Sequence, residues 1–145
     1  MRRRAAVCLT VLVASALSGC GTSSYCAAVE EHRAGIDDAT LTTASFTTLG
    51  EALRAIEEQA PSGVRDDYTA VADSVEALLA AEAVAEVPIE ELTHGDVVDL
   101  SEDDTAALRA AYQAFNDTAT HRRAIADSVQ DECDLTLKTP GEQGQ

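Results

Sequence analysis

Basic residues are scarce in this chain of 145 residues. It carries 10 Lys and Arg against 26 Asp and Glu, a formal net charge of −16 at pH 7. A charge of that sign is repelled by the phosphates of nucleic acids and by anionic lipid surfaces. We therefore expect no nucleic-acid partner. A cationic partner stays open, but the charge alone does not identify one.

The chain also lacks the motifs that mark common catalytic sites. It has no Gly-x-Ser-x-Gly motif, no glycine-rich phosphate loop and no Cys-x-x-Cys pair. Residues 91–94 show the Glu-x-x-His spacing of di-metal helical bundles once, in a predicted loop, whereas such a centre needs that motif twice. We expect a protein that is not an enzyme and that has neither a metal nor another cofactor.

Long apolar runs are missing apart from one near the start, at residues 5–17, where only Thr10 and Ser15 are polar. About 20 apolar residues are needed to cross a bilayer, so this run is too short for a permanent span. Arginines at positions 2–4 precede it. A basic start followed by a short apolar helix is typical of a secretory signal peptide.

The end of this segment, Leu17-Ser18-Gly19-Cys20, resembles the lipobox of bacterial lipoprotein precursors. The resemblance implies that the sulfur of Cys20 receives a diacylglycerol and that cleavage follows Gly19. Residues 1–19 would then be the signal peptide and residues 20–24 a short tether. The mature protein would be anchored at the outer face of the cytoplasmic membrane. The alternative is an ordinary secretory peptide with Cys20 as a plain thiol.

Cysteine usage predicts one disulfide in the mature domain. Cys8 is removed with the signal peptide and Cys20 takes the lipid, which leaves Cys26 and Cys133. Disulfides persist outside the cytosol, where export places both residues. Closing so long a loop stabilises a fold by about 4–5 kcal/mol in the chain-entropy description. Removal of residues 1–19 also leaves 7 basic and 26 acidic residues, a formal charge of −19.

Helical periodicity recurs in four segments between residues 25 and 133. The clearest stripe runs from Val64 through Val71 to Leu78, and Ser101 followed by three acids predicts the start of a fourth helix that reaches Cys133. We find neither strand alternation nor an internal repeat. The predicted fold is all-α: an antiparallel four-helix bundle over residues 25–135, closed by the disulfide, with a flexible tail at residues 136–145. An up-down-up-down order places Cys26 beside Cys133.

The connection at residues 86–100 is acidic and is interrupted by Pro88 and Gly95. We interpret it as a loop with one possible helical turn, held at the end of the bundle far from the membrane. Arg122 is unusual because it falls on the apolar stripe of the fourth helix. It either extends to solvent or pairs with a bundle carboxylate, or it binds an anion or a partner. The candidate partner-binding residues are Glu90, Glu91, Asp96, Asp99 and Arg122.

The mature domain is similar to small exported helical proteins of actinobacteria, with Tyr25-Cys26 near its start and Cys133 closing its last helix. That resemblance brings no catalytic residues. Our first hypothesis is a non-catalytic interaction or structural module with an unknown protein partner. The alternative is a helical bundle that binds a small apolar or cationic molecule. A pocket in the bundle interior would favour the alternative, and a continuously packed core with an exposed apolar strip would favour the first hypothesis.

Overall fold

The computed structural model describes residues 23–93 and 100–138. The described residues form helices and their connections, with no strand among them, which confirms the all-α prediction. The predicted signal peptide and Cys20 lie outside the described residues. The helices are α1 (Ser24–Asp37), α2 (Thr43–Glu57), α3 (Ser62–Ala85), α4 (Ile89–Thr93), α5 (Glu102–Asp117) and α6 (Ala119–Cys133).

Three of these helices begin at a hydroxyl cap. The side chains of Ser23, Thr42 and Ser101 each accept a hydrogen bond from the backbone amide three residues on, at 3.0 to 3.2 Å. Such a cap satisfies an amide that has no partner within its own helix. Helix α5 also carries acids in its first turn, where the helix dipole favours negative charge. The start predicted at Ser101 is confirmed.

Helix α3 is the central element of the core, since it packs against α2, α5 and α6, while α1 packs mainly against α2. The apolar stripe predicted on α3 is buried along its length. Tyr68, Val75 and Leu78 are fully buried and Val71 is 2% exposed. Burying side chains of this size removes about 1.5–3 kcal/mol of unfavourable hydration each, which makes α3 the main source of stability.

The fourth helix was predicted as one continuous element, whereas the structure divides it into α5 and α6 at Thr118. Thr118 leaves helical geometry with ψ at 6°, and its hydroxyl donates to the carbonyl of Phe115 at 2.7 Å. Both halves still pack against α3. The break at Thr118 therefore leaves both halves of the predicted helix in the core.

The predicted disulfide between Cys26 and Cys133 is confirmed, with 5.3 Å between the two Cα atoms. Polar contacts support the same region. The hydroxyl of Tyr25 lies 3.1 Å from that of Tyr68 and 3.4 Å from that of Ser128. We call the region around Cys26 and Cys133 the disulfide end. Here α1, α3 and α6 are joined by a covalent bond and by neutral hydroxyl groups.

The chain remains packed after the disulfide. Leu137 is 7% exposed and belongs to the core, and the Lys138 amide donates to the Asp37 carboxylate at 2.7 Å. A buried leucine and a bonded amide are features of ordered structure. The packed chain therefore extends to Lys138, three residues beyond the predicted boundary at residue 135.

Candidate functional site

The acidic connection is attached to the fold at the start of α2. The Thr43 amide donates to Glu90 Oε2 at 3.0 Å, and the Ile89 amide donates to Thr43 Oγ1 at 3.3 Å. Helix α1 has 14 residues and so spans about 20 Å, which separates Thr43 from the disulfide at the other end of α1. We call Thr43, Glu82 and residues 86–93 the acidic end.

Glu82 of α3 brings a second carboxylate to the same hydroxyl. It is 4% exposed, and its Oε1 lies 2.9 Å from Thr43 Oγ1, which is also 3.3 Å from Glu90 Oε2. A threonine hydroxyl has one proton, so Thr43 donates to only one carboxylate at a time. The other oxygen of Glu82, Oε2, is buried and has no hydrogen-bond partner in the described part of the chain.

The two carboxyl groups have opposite pKa shifts. Burial raises the pKa of Glu82, because desolvation disfavours the ionised form, and the hydrogen bond from Thr43 only partly opposes this. The backbone amide of Thr43 lowers the pKa of Glu90 by stabilising its charge. Glu82 therefore holds a proton more readily than an ordinary glutamate, and Glu90 holds one less readily.

Tyr112 of α5 borders the same cluster. Its phenolic oxygen is buried without a hydrogen-bond partner among the described residues. Burial raises the Tyr112 pKa, and the negative charge of Glu82 adds to that effect. Four elements thus contribute polar groups to the acidic end: α2, α3, α4 and α5.

The predicted partner-binding residues do not form one cluster in the structure. Glu90 belongs to the acidic end, and Glu91 on the same short helix is exposed. Asp96 and Asp99 lie outside the described residues, as does His94 of the single Glu-x-x-His motif. Binding by Glu91, Asp96 and Asp99 stays a prediction.

Arg122 stabilises the break between α5 and α6. Its NH1 group donates to the Phe115 carbonyl at 2.8 Å and to Thr118 Oγ1 at 2.6 Å, and the guanidinium lies 4.8 Å from the centre of the Phe115 ring. No carboxylate in the described part of the chain lies within ion-pair distance of it. Burial lowers its pKa. Arg122 thus bonds to backbone and hydroxyl oxygen instead of a carboxylate, and its role in partner binding stays a prediction.

An apolar cavity lies beside Arg122, beneath the segment that contains Leu137. Its volume is about 20 Å³, room for one water, whereas small-molecule sites usually have about 300–1,000 Å³. A ligand of ordinary size would need Leu137 to move away. Its walls come from Ile36, Leu49, Leu53, Val71, Arg122, Ile125, Ala126, Leu137 and Lys138.

Sequence reasoning missed Glu82, although a signal was present. Glu82 stands four residues after Leu78, at the next position of the α3 stripe. An acid in an apolar register is either buried or near the end of a packed face. The same reasoning singled out Arg122 and would have singled out Glu82.

The described residues contain neither a candidate metal site nor a candidate membrane span. No group of three or more His, Cys, Asp or Glu side chains there is placed to hold a metal ion. No helix within those ranges is both long enough and apolar enough to span a bilayer.

No family model matches the chain, and no curated protein or solved structure shows significant similarity to it.

Proposed function

We propose that this chain is the precursor of a bacterial lipoprotein, anchored through a diacylglycerol on Cys20 at the outer face of the cytoplasmic membrane. Its domain is a non-catalytic interaction or structural module for a protein partner, with no role in nucleic-acid binding. The acidic end faces away from the membrane and is the contact surface. Residues 1–19 are a helical signal peptide that is removed.

The observation that carries this proposal is the short distance along the chain between Cys20 and the disulfide end. Three residues separate Cys20 from Ser24, the first residue of α1. Fully extended, that stretch covers at most about 14 Å between the two Cα atoms. An anchor on Cys20 therefore keeps Cys26 and its disulfide close to the lipid surface.

The acidic end then lies on the far side of the domain. We propose an antiparallel order in which α1 and α3 lead away from the membrane while α2 and the α5–α6 pair return. Helix α3 has 24 residues and spans about 35 Å, so residues 86–93 stand roughly that far from the anchored end. Repulsion between anionic headgroups and a domain with formal charge −19 favours the same orientation.

A non-catalytic role fits the chemistry at the acidic end. Glu82 and Glu90 form a carboxylate pair of the kind used for acid–base work, but Glu82 is 4% exposed and cannot meet a substrate. The alternative of a ligand-binding bundle would rest, for an apolar molecule, on the cavity of about 20 Å³, which is too small for a ligand without rearrangement. Two larger hollows of about 280 and 390 Å³ in the described part of the chain are open to solvent and partly polar. We therefore favour protein contact.

Metabolic labelling with a fatty-acid probe tests the anchor. The wild-type protein should be labelled, and Cys20→Ala should lose the label and accumulate uncleaved precursor. Cys8→Ala is the matched control. Because Cys8 lies in the predicted signal peptide, this variant should still be labelled on Cys20. Labelling that persists in Cys20→Ala would refute the lipoprotein assignment.

Site-specific photo-crosslinking in cells tests the contact surface. A photoreactive residue at the exposed position of Glu91 should give a discrete protein adduct, whereas the same residue at exposed Gln59, in the α2–α3 turn, should not. Adducts from Gln59 alone would place the partner at the wrong end and contradict the proposal.

A further inference from the structure

We propose that Glu82 is a proton switch for the acidic end: a proton on its carboxyl group keeps α4 fastened to α2 and α3, and loss of that proton loosens α4. The switch deepens the function proposed above, because it regulates the contact surface and rests on that function for its biological meaning. Its physical basis lies within the described residues alone.

Three elements meet at one hydroxyl group. Thr43 Oγ1 contacts Glu82 of α3 at 2.9 Å and Glu90 of α4 at 3.3 Å, and it accepts the Ile89 amide at 3.3 Å. Ile89 itself is fully buried. The position of α4 therefore depends on the polar groups around Thr43 as well as on the burial of Ile89.

Two negative charges are poorly accommodated there. Because both carboxylates contact the same hydroxyl, their nearest oxygens lie within about 6 Å of each other, close enough for each charge to disfavour the other. Thr43 has a single proton to donate. Glu82 Oε2 is buried and unpartnered among the described residues, and an unpaired buried charge is strongly unfavourable. One proton on Glu82 removes this conflict.

The groups that face Glu82 do not supply a compensating positive charge. In the described ranges they are Glu90 and the Ile89 backbone amide from α4, the neutral Tyr112 from α5 and the neutral Thr43 from α2; the Ile89 amide favours the ionised form but carries no net charge. Glu86, one turn further along its own chain, is exposed and acidic. No Lys, Arg or His among the described residues lies within ion-pair distance of Glu82.

The direction of the pH effect follows from the raised pKa of Glu82. The closed arrangement binds the proton more tightly than an open one, so closure is fully favoured below the ordinary glutamate pKa of about 4.3. It weakens as the pH rises from there through the raised pKa. Within that interval the equilibrium constant for opening increases by up to about tenfold per pH unit. Glu90, whose pKa is lowered, opposes this only at acidic pH, where its own charge is lost.

Hydrogen–deuterium exchange on the purified full-length protein tests the switch. After correction for the intrinsic pH dependence of exchange, the protection of residues 89–93 should fall as the pH rises from 5 to 8, while the centre of α3 stays unchanged. Glu82→Gln, which mimics the protonated acid, should stay protected at both pH values. Glu91→Gln removes an exposed acid from the same short helix and should keep the wild-type response.

A second measurement does not depend on the folding of any variant. Carbon-13 NMR of the Glu82 side-chain carboxyl in the wild-type protein should show titration above the ordinary value of about 4.3. Titration at or below that value would overturn the proposal, and so would protection of residues 89–93 that does not change with pH. Restored protection of residues 89–93 on addition of one equivalent of Ca²⁺ at pH 8 would also overturn it, because a bound cation and not a proton would then neutralise the two carboxyl groups. None of these results depends on lipid or partner, so failure of the switch and failure of the proposed function are distinguishable.

Discussion

The disulfide end and the acidic end of this domain are held together by different chemistry. At the disulfide end, a covalent bond joins α1 to α6, and neutral hydroxyls of Tyr25 and Tyr68 meet at 3.1 Å. At the acidic end, two carboxyl groups compete for the hydroxyl of Thr43. The first arrangement contains no carboxylate that shares a hydroxyl with another carboxylate, whereas the second does, and we propose that the second depends on pH. One end of this fold is therefore held covalently, and the other is held by polar groups whose charge can change.

The disulfide end and the acidic end also differ in how far along α1 they lie from Cys20. Only three residues lie between Cys20 and Ser24, so the lipid anchor that we propose on Cys20 would be attached close to the disulfide end. The acidic end lies at the far ends of α1 and α3 from the disulfide. Local opening there does not require the core around Tyr68 to unfold, and local openings of this kind occur with free energies well below that of global unfolding.

Removing the disulfide should give the largest effect. The double variant Cys26→Ala/Cys133→Ala opens a loop with a sequence separation of 107 and should lower the free energy of unfolding by about 4–5 kcal/mol. Urea denaturation measures this, and reduction of the wild-type protein should reproduce it. Equal stability of the double variant and the oxidised wild type would show that the disulfide end does not depend on its covalent bond.

Thr43→Val should have an intermediate effect, confined to the acidic end. The variant removes the hydroxyl that contacts Glu82 and accepts a hydrogen bond from the Ile89 amide. We therefore expect the free energy of unfolding to fall by about 1–3 kcal/mol. Thr47→Val is the control on the same helix: Thr47 is exposed, and its loss should change stability by less than about 0.5 kcal/mol. Thermal unfolding at pH 5 compares the two, and equal effects would contradict the role given to Thr43.

The smallest effects concern two residues in the left-handed region, one at each end. Glu86 after α3 and Asp134 after α6 both have φ of 54°, a conformation that costs residues with a Cβ atom about 1–2 kcal/mol and that glycine adopts freely. Glu86→Gly should stabilise by about 0.5–1 kcal/mol. Asp134→Gly should gain less stability than Glu86→Gly, because aspartate adopts the left-handed region more readily than glutamate does. Urea midpoints that fall in either variant would show that the native side chain makes a stabilising contact.

Much of the fold could be predicted from the sequence because its signals are local or covalent. The stripe from Val64 to Leu78 and the cap at Ser101 depend on neighbours a few residues away, and elimination of Cys8 and Cys20 left one disulfide pairing. The break at Thr118 was not predictable in the same way. No proline or glycine marks it, and its stabilising contacts come from Arg122, whose orientation depends on the folded chain.

The candidate site was predicted only in part for a related reason. Acidic composition indicated residues 86–100, and Glu90 does take part in the cluster. The partner carboxylate, Glu82, comes from a different helix, and its pairing through Thr43 is a tertiary contact between residues 39 positions apart. Leu137 was assigned to a tail for the same reason: its burial depends on contact with residues of α1, α2 and α6, which are far from it in sequence or belong to other helices.

The central claim, that the disulfide end faces the membrane and the acidic end faces away, is tested most directly by fluorescence quenching in vesicles. A fluorescent amino acid would replace Gln59 in the α2–α3 turn or Glu91 on α4, both exposed, in lipidated protein reconstituted with headgroup-quencher lipids. Pro61 and Gly63 share a surface hollow with Glu132, which places that turn at the disulfide end. We expect strong quenching at position 59 and little at position 91. Equal quenching at both positions, or stronger quenching at 91, would contradict it.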